Sequence, residues 1–122
     1  MSKPAPFHTD GQEFWTDERC FITELVNHDA CPELSLATGR VEAGVTTQLH
    51  ALGVEEVYTI KEGAGRLEVD GGAIQVGIGD SVRIAAGLAQ RITNTGDGDL
   101  IFYLVCRPRF EPKTYINLED ET

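Results

Sequence analysis

Nine segments of this chain, nearly all the length of a β-strand and each followed by a turn-forming cluster, leave it few ways to fold. They are Cys20 to Leu25, Glu33 to Ala43, Thr46 to Ala51, Glu56 to Lys61, Arg66 to Asp70, Ile74 to Ile78, Ser81 to Ala85, Gln90 to Asn94 and Leu100 to Cys106. None presents a convincing helical face, and short strands at even spacing mean a sandwich or a barrel. The clearest local signal is the alternation Arg66-Leu67-Glu68-Val69-Asp70, then Gly71-Gly72, then the alternating Ile74, Val76 and Ile78, which reads as a hairpin. The dense turn Asn94 to Asp99 precedes a continuous apolar run, Leu100 to Val105, expected to be a strand buried on both faces. Ala85, Ala86, Leu88 and Ala89 favour a helix over Ser81 to Thr93, but Gly87 and the β-branched Val82, Ile84 and Ile92 oppose it, so strand-turn-strand is expected there.

At 122 residues the chain has the size of one domain with one closed core. Met1 to Trp15 is polar, carries Pro4 and Pro6 and has no sustained period, so it reads as an arm. Twenty acidic against ten basic side chains give a formal charge of -10, which repels phosphate backbones and anionic headgroups and makes nucleic acid an unsuitable partner. No apolar run is long enough to span a bilayer and the N-terminus has no hydrophobic stretch of a secretion signal, so no membrane association and a cytoplasmic location are expected. Cys20, Cys31 and Cys106 are odd in number and lack C-x-x-C spacing, which favours reduced, mostly buried thiols over a disulfide framework.

Gly44 is followed after five residues by His50, two positions later by Leu52, after three more by Glu56 and after six more by Gly63. Fifteen residues, Ala64 to Ile78, then lead to Gly79, Ala85, Gly87, Gln90 and Asn94. This constellation resembles the two cupin motifs, G-x5-H-x-H-x3-4-E-x6-G and G-x5-P-x-G-x2-H-x3-N. Leu52 stands for the second histidine, Ala85 for the proline and Gln90 for the last histidine. The resemblance implies an all-β fold, a double-stranded β-helix or jelly-roll barrel over residues 16–110, with residues 1–15 as an N-terminal arm and 111–122 as a C-terminal tail. The tail Cys106-Arg107-Pro108-Arg109-Phe110 also resembles that of small cupins loosely called mannose-6-phosphate isomerase-like, a likeness of fold and not of activity.

The resemblance also implies the chemistry to look for. A full cupin set of three histidines and a glutamate holds iron, manganese, nickel, copper or zinc. Here His50 and Glu56 remain, Gln90 offers an amide oxygen and Leu52 offers nothing. His50, Glu56 and Gln90 are therefore the candidate ligands of a divalent metal ion (zinc, iron, manganese or nickel), with Gln48 on the same strand face as a further amide outside the motif. In the metal-free alternative, Glu56 and His50 form an acid/base pair, burial raising the pKa of the carboxyl and lowering that of the imidazole while their attraction opposes both. Glu56, Tyr58 and Ile60 share a strand face, which the motif turns inward and which leaves the adjacent Glu55 outside.

Three functions stay open. The first is an enzyme of isomerase or oxygenase type on a small polar metabolite, metal-assisted or metal-free as an isomerase or lyase. The second is a non-catalytic module binding a sugar or carboxylate ligand. The third is a degenerate structural barrel. The small-molecule partner is unspecified, Tyr58, Phe102 and Leu104 are expected among the apolar residues of the pocket, and a homodimer through sheet edges is expected. Gly63-Ala64-Gly65 and Gly77-Ile78-Gly79 lack the spacing of phosphate loops, Asp97-Gly98-Asp99 reads as a hairpin turn, and His28-Asp29 as a surface turn.

Overall fold

The computed structural model describes residues 11–119; most of the expected arm, residues 1–10, lies outside them, as do 120–122. Among the described residues eleven strands follow one another: β1 (Phe14–Thr16), β2 (Cys20–Val26), β3 (Ser35–Val41), β4 (His50–Leu52), β5 (Glu55–Glu62), β6 (Ala64–Val69), β7 (Gly72–Gly77), β8 (Ser81–Ile84), β9 (Gln90–Asn94), β10 (Leu100–Arg107) and β11 (Tyr115–Asn117), with a 3-10 turn, Pro112–Thr114, before the last. They form two antiparallel sheets, ordered β1-β2-β3-β10-β5-β8 and β11-β4-β9-β6-β7. This is the all-β jelly-roll barrel that the resemblance implies. No helix among the described residues is long and apolar enough to cross a membrane.

The hairpin is as expected. Strands β6 and β7 pair from Ala64 with Gly77 to Val69 with Gly72, and the two-residue turn places Asp70 and Gly71 at φ of 50° and 84°. Positive φ at both positions is the twist-matched hairpin geometry, which Asp-Gly adopts readily. Gly87 turns the chain between β8 and β9 at φ 86°, and its N–H donates to the Leu52 carbonyl, so the segment is strand-turn-strand and not a helix.

The core lies between the sheets: Val41, Tyr58, Ile60, Leu67, Ile84, Ile92, Leu100 and Phe102 are buried together. Gly39 on β3 leaves room for Phe102, whose ring carbon would lie 2.5 Å from any Cβ there.

Three expectations change. The run Leu100 to Val105 is central in its sheet, between β3 and β5, but Ile101, Tyr103 and Val105 are half-buried, because no layer covers the outer face of that sheet completely. Of the run Thr46 to Ala51 only its end is strand: Thr46 makes one isolated bridge to Thr93, and the N–H groups of Thr47, Gln48 and Leu49 go to Ile92, Glu18 and the Glu119 side chain. Both chain ends also add strands. Phe14–Thr16 pairs with β2, and Tyr115–Asn117, within the expected tail, pairs with β4.

Gly63 joins β5 to β6 at φ 83°, and a Cβ there would meet the Asp99 carbonyl oxygen at 2.8 Å and Leu100 Cα at 3.1 Å. Gly87 has a similar φ with nothing within 4 Å of its Cβ position. Gly87→Ala carries only the left-handed strain, about 1 kcal/mol. Gly63→Ala adds a backbone clash and is expected to cost about 3 kcal/mol. Urea midpoints of the two variants check this ordering.

Candidate active site

Register turns the three sequence-predicted residues into the barrel, and of the three His50 and Glu56 line its cavity. On β4, His50 stands opposite Gln90 of β9, and β5 places Glu56 between Cys106 of β10 and Ile84 of β8. His50, Glu56 and Gln90 are all buried, exposing 4%, 5% and 1% of their surfaces. Glu55, one residue away, turns outward to Arg83 and Arg107. Between the sheets lies a cavity of about 140 Å³, lined by His50, Glu56 and Tyr58 and by apolar side chains that include Leu52, Phe102 and Leu104.

The imidazole is held from two directions. Nδ1 lies 2.7 Å from the Gln48 carbonyl oxygen, which can only accept, so Nδ1 carries a proton and Nε2 is the nitrogen left for the cavity. The ring of Tyr115 stacks on it at 4.9 Å and 12°, and the Tyr115 hydroxyl donates to Gln48 Oε1 at 2.6 Å. Gln48 is thus part of the cradle of His50, its amide oxygen engaged by Tyr115.

Glu56 sits in poorer company. Its register neighbours are a thiol and a hydrocarbon; Cys106 Sγ is 3.9 Å from Oε2, and Oε1 has no hydrogen-bond partner among the described residues. Burial pushes its pKa up to about 8; the amide of Gln90 opposes the rise, Glu18 adds to it, and Cys106 opposes it weakly. At neutral pH Glu56 is mostly a protonated acid. Burial likewise pushes the thiols of Cys20 and Cys106 up to about 12, assisted by the nearby carboxylates, so neither is a ready nucleophile.

Glu18 and Tyr115 belong to this site and carry no motif signal. Glu18, on the turn between β1 and β2, lines the cavity; burial raises its pKa, while His50 and the Tyr115 hydroxyl oppose the rise. Acidic turns are common enough that Asp17-Glu18-Arg19 reads as surface, and the spacing between Tyr115 and the motifs is set by a fold that spacing alone does not specify.

The residues do not fit a resident metal. Among the described residues no group of three His, Cys, Asp or Glu side chains is placed to hold an ion. Leu52 supplies hydrocarbon, and Gln90 Oε1 accepts the Tyr58 hydroxyl at 2.8 Å, inside the barrel. Of the expected set of His50, Glu56 and Gln90, the amide member already accepts a hydrogen bond from a strand of the facing sheet.

Residues 37–106 match the Cupin domain family. The chain belongs to the cupins. No curated protein matches its sequence. Among solved structures, this cupin is similar to oxalate decarboxylase from Bacillus subtilis, at 21% identity and TM-score 0.77, over 89% of this chain and 30% of that one. The nucleoside dehydratase Pac13 from Streptomyces is 15% identical with TM-score 0.78, covering 99% of this chain and 95% of that one. The polyketide cyclase RemF from Streptomyces resistomycificus is 20% identical with TM-score 0.77, covering 99% and 88%. The cupin spans less than a third of the oxalate decarboxylase chain but nearly all of the other two, and at these identities the likeness is one of fold.

A carboxyl that titrates near 4.5 unfolded and about 8 folded binds its proton more tightly in the native state, so the native state loses stability as pH rises between those values. Glu56→Gln removes this penalty. The variant is expected to be more stable than the parent by an amount that grows from pH 5 to pH 8, reaching on the order of a few kcal/mol. Thermal midpoints of both proteins across that range check it.

Proposed function

We propose that this cupin is an enzyme that performs metal-free acid/base chemistry on a small molecule, with Glu56 as the acid and His50 as the base. The observation that carries the reading is that one cavity holds both a buried carboxyl whose Oε1 has no hydrogen-bond partner among the described residues and an imidazole whose Nδ1 is already fixed by a carbonyl. A buried acid that costs stability and leaves one oxygen unbonded among the described residues is explained by a group that arrives with the substrate.

The step suited to this pair is enolisation beside a carbonyl. Glu56 gives its proton to the carbonyl oxygen while His50 Nε2 takes a proton from the adjacent carbon; the C–H pair becomes the C=C bond of the enol and the carbonyl π pair goes to the new O–H. The carboxylate and imidazolium left behind attract each other, which offsets the burial of both charges. Isomerisation, loss of water and ring closure can each proceed from an enol. Isomerase-like chemistry enters in this sense, without a sugar phosphate substrate. Dehydratase and cyclase names among the structural neighbours are compatible with it. Apolar walls exclude water, and a cavity near 140 Å³ suits a single ring, since an apolar protein cavity on the order of 150 Å³ accepts benzene.

Cyclohexanone is a ring-sized carbonyl probe. The protein is expected to accelerate exchange of its α-protons in D2O near neutral pD, followed by NMR, and His50→Ala or Glu56→Gln should lower the rate by about 10²-fold or more, while EDTA leaves it unchanged. Exchange no faster than in buffer despite binding of the probe would overturn the enzyme reading in favour of a binding module.

A further inference from the structure

The cavity wall contains three carboxyl groups, Glu18, Glu24 and Glu56, one imidazole, and no lysine or arginine among the described residues. The arginines are engaged elsewhere: Arg19 by Glu119, Arg40 by Glu13 and Asp99, Arg83 and Arg107 by Glu55, and Arg91 by Glu68. Arg109 and Glu24 bond the two ends of one amide, that of Asn27, at 2.8 and 2.6 Å, so these opposite charges flank a single neutral group. Glu18 and Glu56 are then the acids that a ligand meets without a fixed cation beside them.

Their placement is built. Gln48 N–H donates to the Glu18 carbonyl at 2.9 Å, holding the turn that carries Glu18 to the residue whose carbonyl fixes His50. The Glu18 carboxyl faces His50 and Tyr115. A carboxylate or phosphate entering this space loses its hydration, approaches Glu18, and finds the imidazole already opposed by that carboxyl. A hydroxyl, carbonyl or amine meets no such opposition, and the unpartnered Oε1 of Glu56 is free to bond it.

We infer that this pocket takes ring-sized ligands that are uncharged or cationic and turns away anionic ones, and that Glu18 sets the discrimination. The inference rests on the acid/base reading of the cavity and adds the class of substrate. It separates this chain from a carboxylate-binding module.

Benzamide, benzylamine and benzoate share a ring and differ in charge. Titrated calorimetrically, with the His50 ring resonances reporting binding at the cavity, benzamide and benzylamine are expected to bind and benzoate to bind at least about tenfold more weakly. Glu18→Gln should shrink the benzamide-to-benzoate ratio to near unity, whereas Glu55→Gln, which alters an outward carboxylate, should leave it as in the parent. Benzoate binding as tightly as benzamide would overturn the discrimination while leaving the cavity as a ligand site. A ratio unmoved by Glu18→Gln would overturn the role of Glu18. Failure of all three probes to perturb His50 would remove the cavity reading itself and this inference with it.

Discussion

Strand β10 is paired along nearly its whole length on both sides, to β3 from Leu100 with Val41 to Cys106 with Ser35, and to β5 from Ile101 with Glu62 to Arg107 with Glu55. Side chains alternate between the faces of a strand, so this register decides which β5 residues see the barrel interior. Glu56 faces in opposite Cys106 and Tyr58 opposite Leu104; a one-residue slip would put Glu55 and Val57 inside and the catalytic candidate in water. Phe102, seated over Gly39, pins that register from the other side, since a strand shifted by one place would drive its ring out of the core. An irregularity between Ile101 and Phe102 absorbs the mismatch at one end of the pairing.

Closure of the barrel creates the chemistry by withholding partners. The sheet positions beside Glu56 are occupied by a thiol and an isoleucine, so the carboxyl is removed from water with the Gln90 amide opposing the cost and one oxygen left without a partner among the described residues. The other buried polar groups are treated differently. Asn94 spans the Val41 and Gly98 carbonyls at 2.8 Å each, Thr47 Oγ1 accepts from the Ile92 N–H, and Gln90 accepts from Tyr58. Among the described residues Glu56 Oε1 stands apart as a buried side-chain oxygen without a hydrogen-bond partner, an exception of a kind that calls for an explanation.

Much of this architecture is legible in the residues. Alternation and the Asp-Gly pair specify the β6 and β7 hairpin, and the glycines at 63, 79 and 87 sit at positive φ where the motif puts turns. Two-residue spacing from Glu56 also names Tyr58 and Ile60 as inward, because strand geometry is local. What local pattern does not carry is the state of a donor. Nothing in Gln90 itself says that its oxygen belongs to Tyr58, 32 residues away in sequence. Likewise Ile74 and Ile78 share the alternation of Val76, yet only Val76 is buried, because burial at a sheet margin depends on what lies opposite.

The parts of the site furthest from the motifs come from the two ends of the described chain. Glu18 arrives on the turn after β1 and Tyr115 on β11, and Glu119 fastens the C-terminal segment by binding Arg19 and the Leu49 N–H. The shared barrel thus presents His50 and Glu56 on its inner strands, while the end segments orient the imidazole and set the charge around it. Cupins that keep the inner strands and change these ends would retain the fold and exchange the ligand, which is how one scaffold comes to host different chemistries. In this chain the ends contribute an acid and an aromatic ring beside His50, while the inner strands β4 and β9 carry Leu52 and Gln90 where a full cupin set has imidazoles.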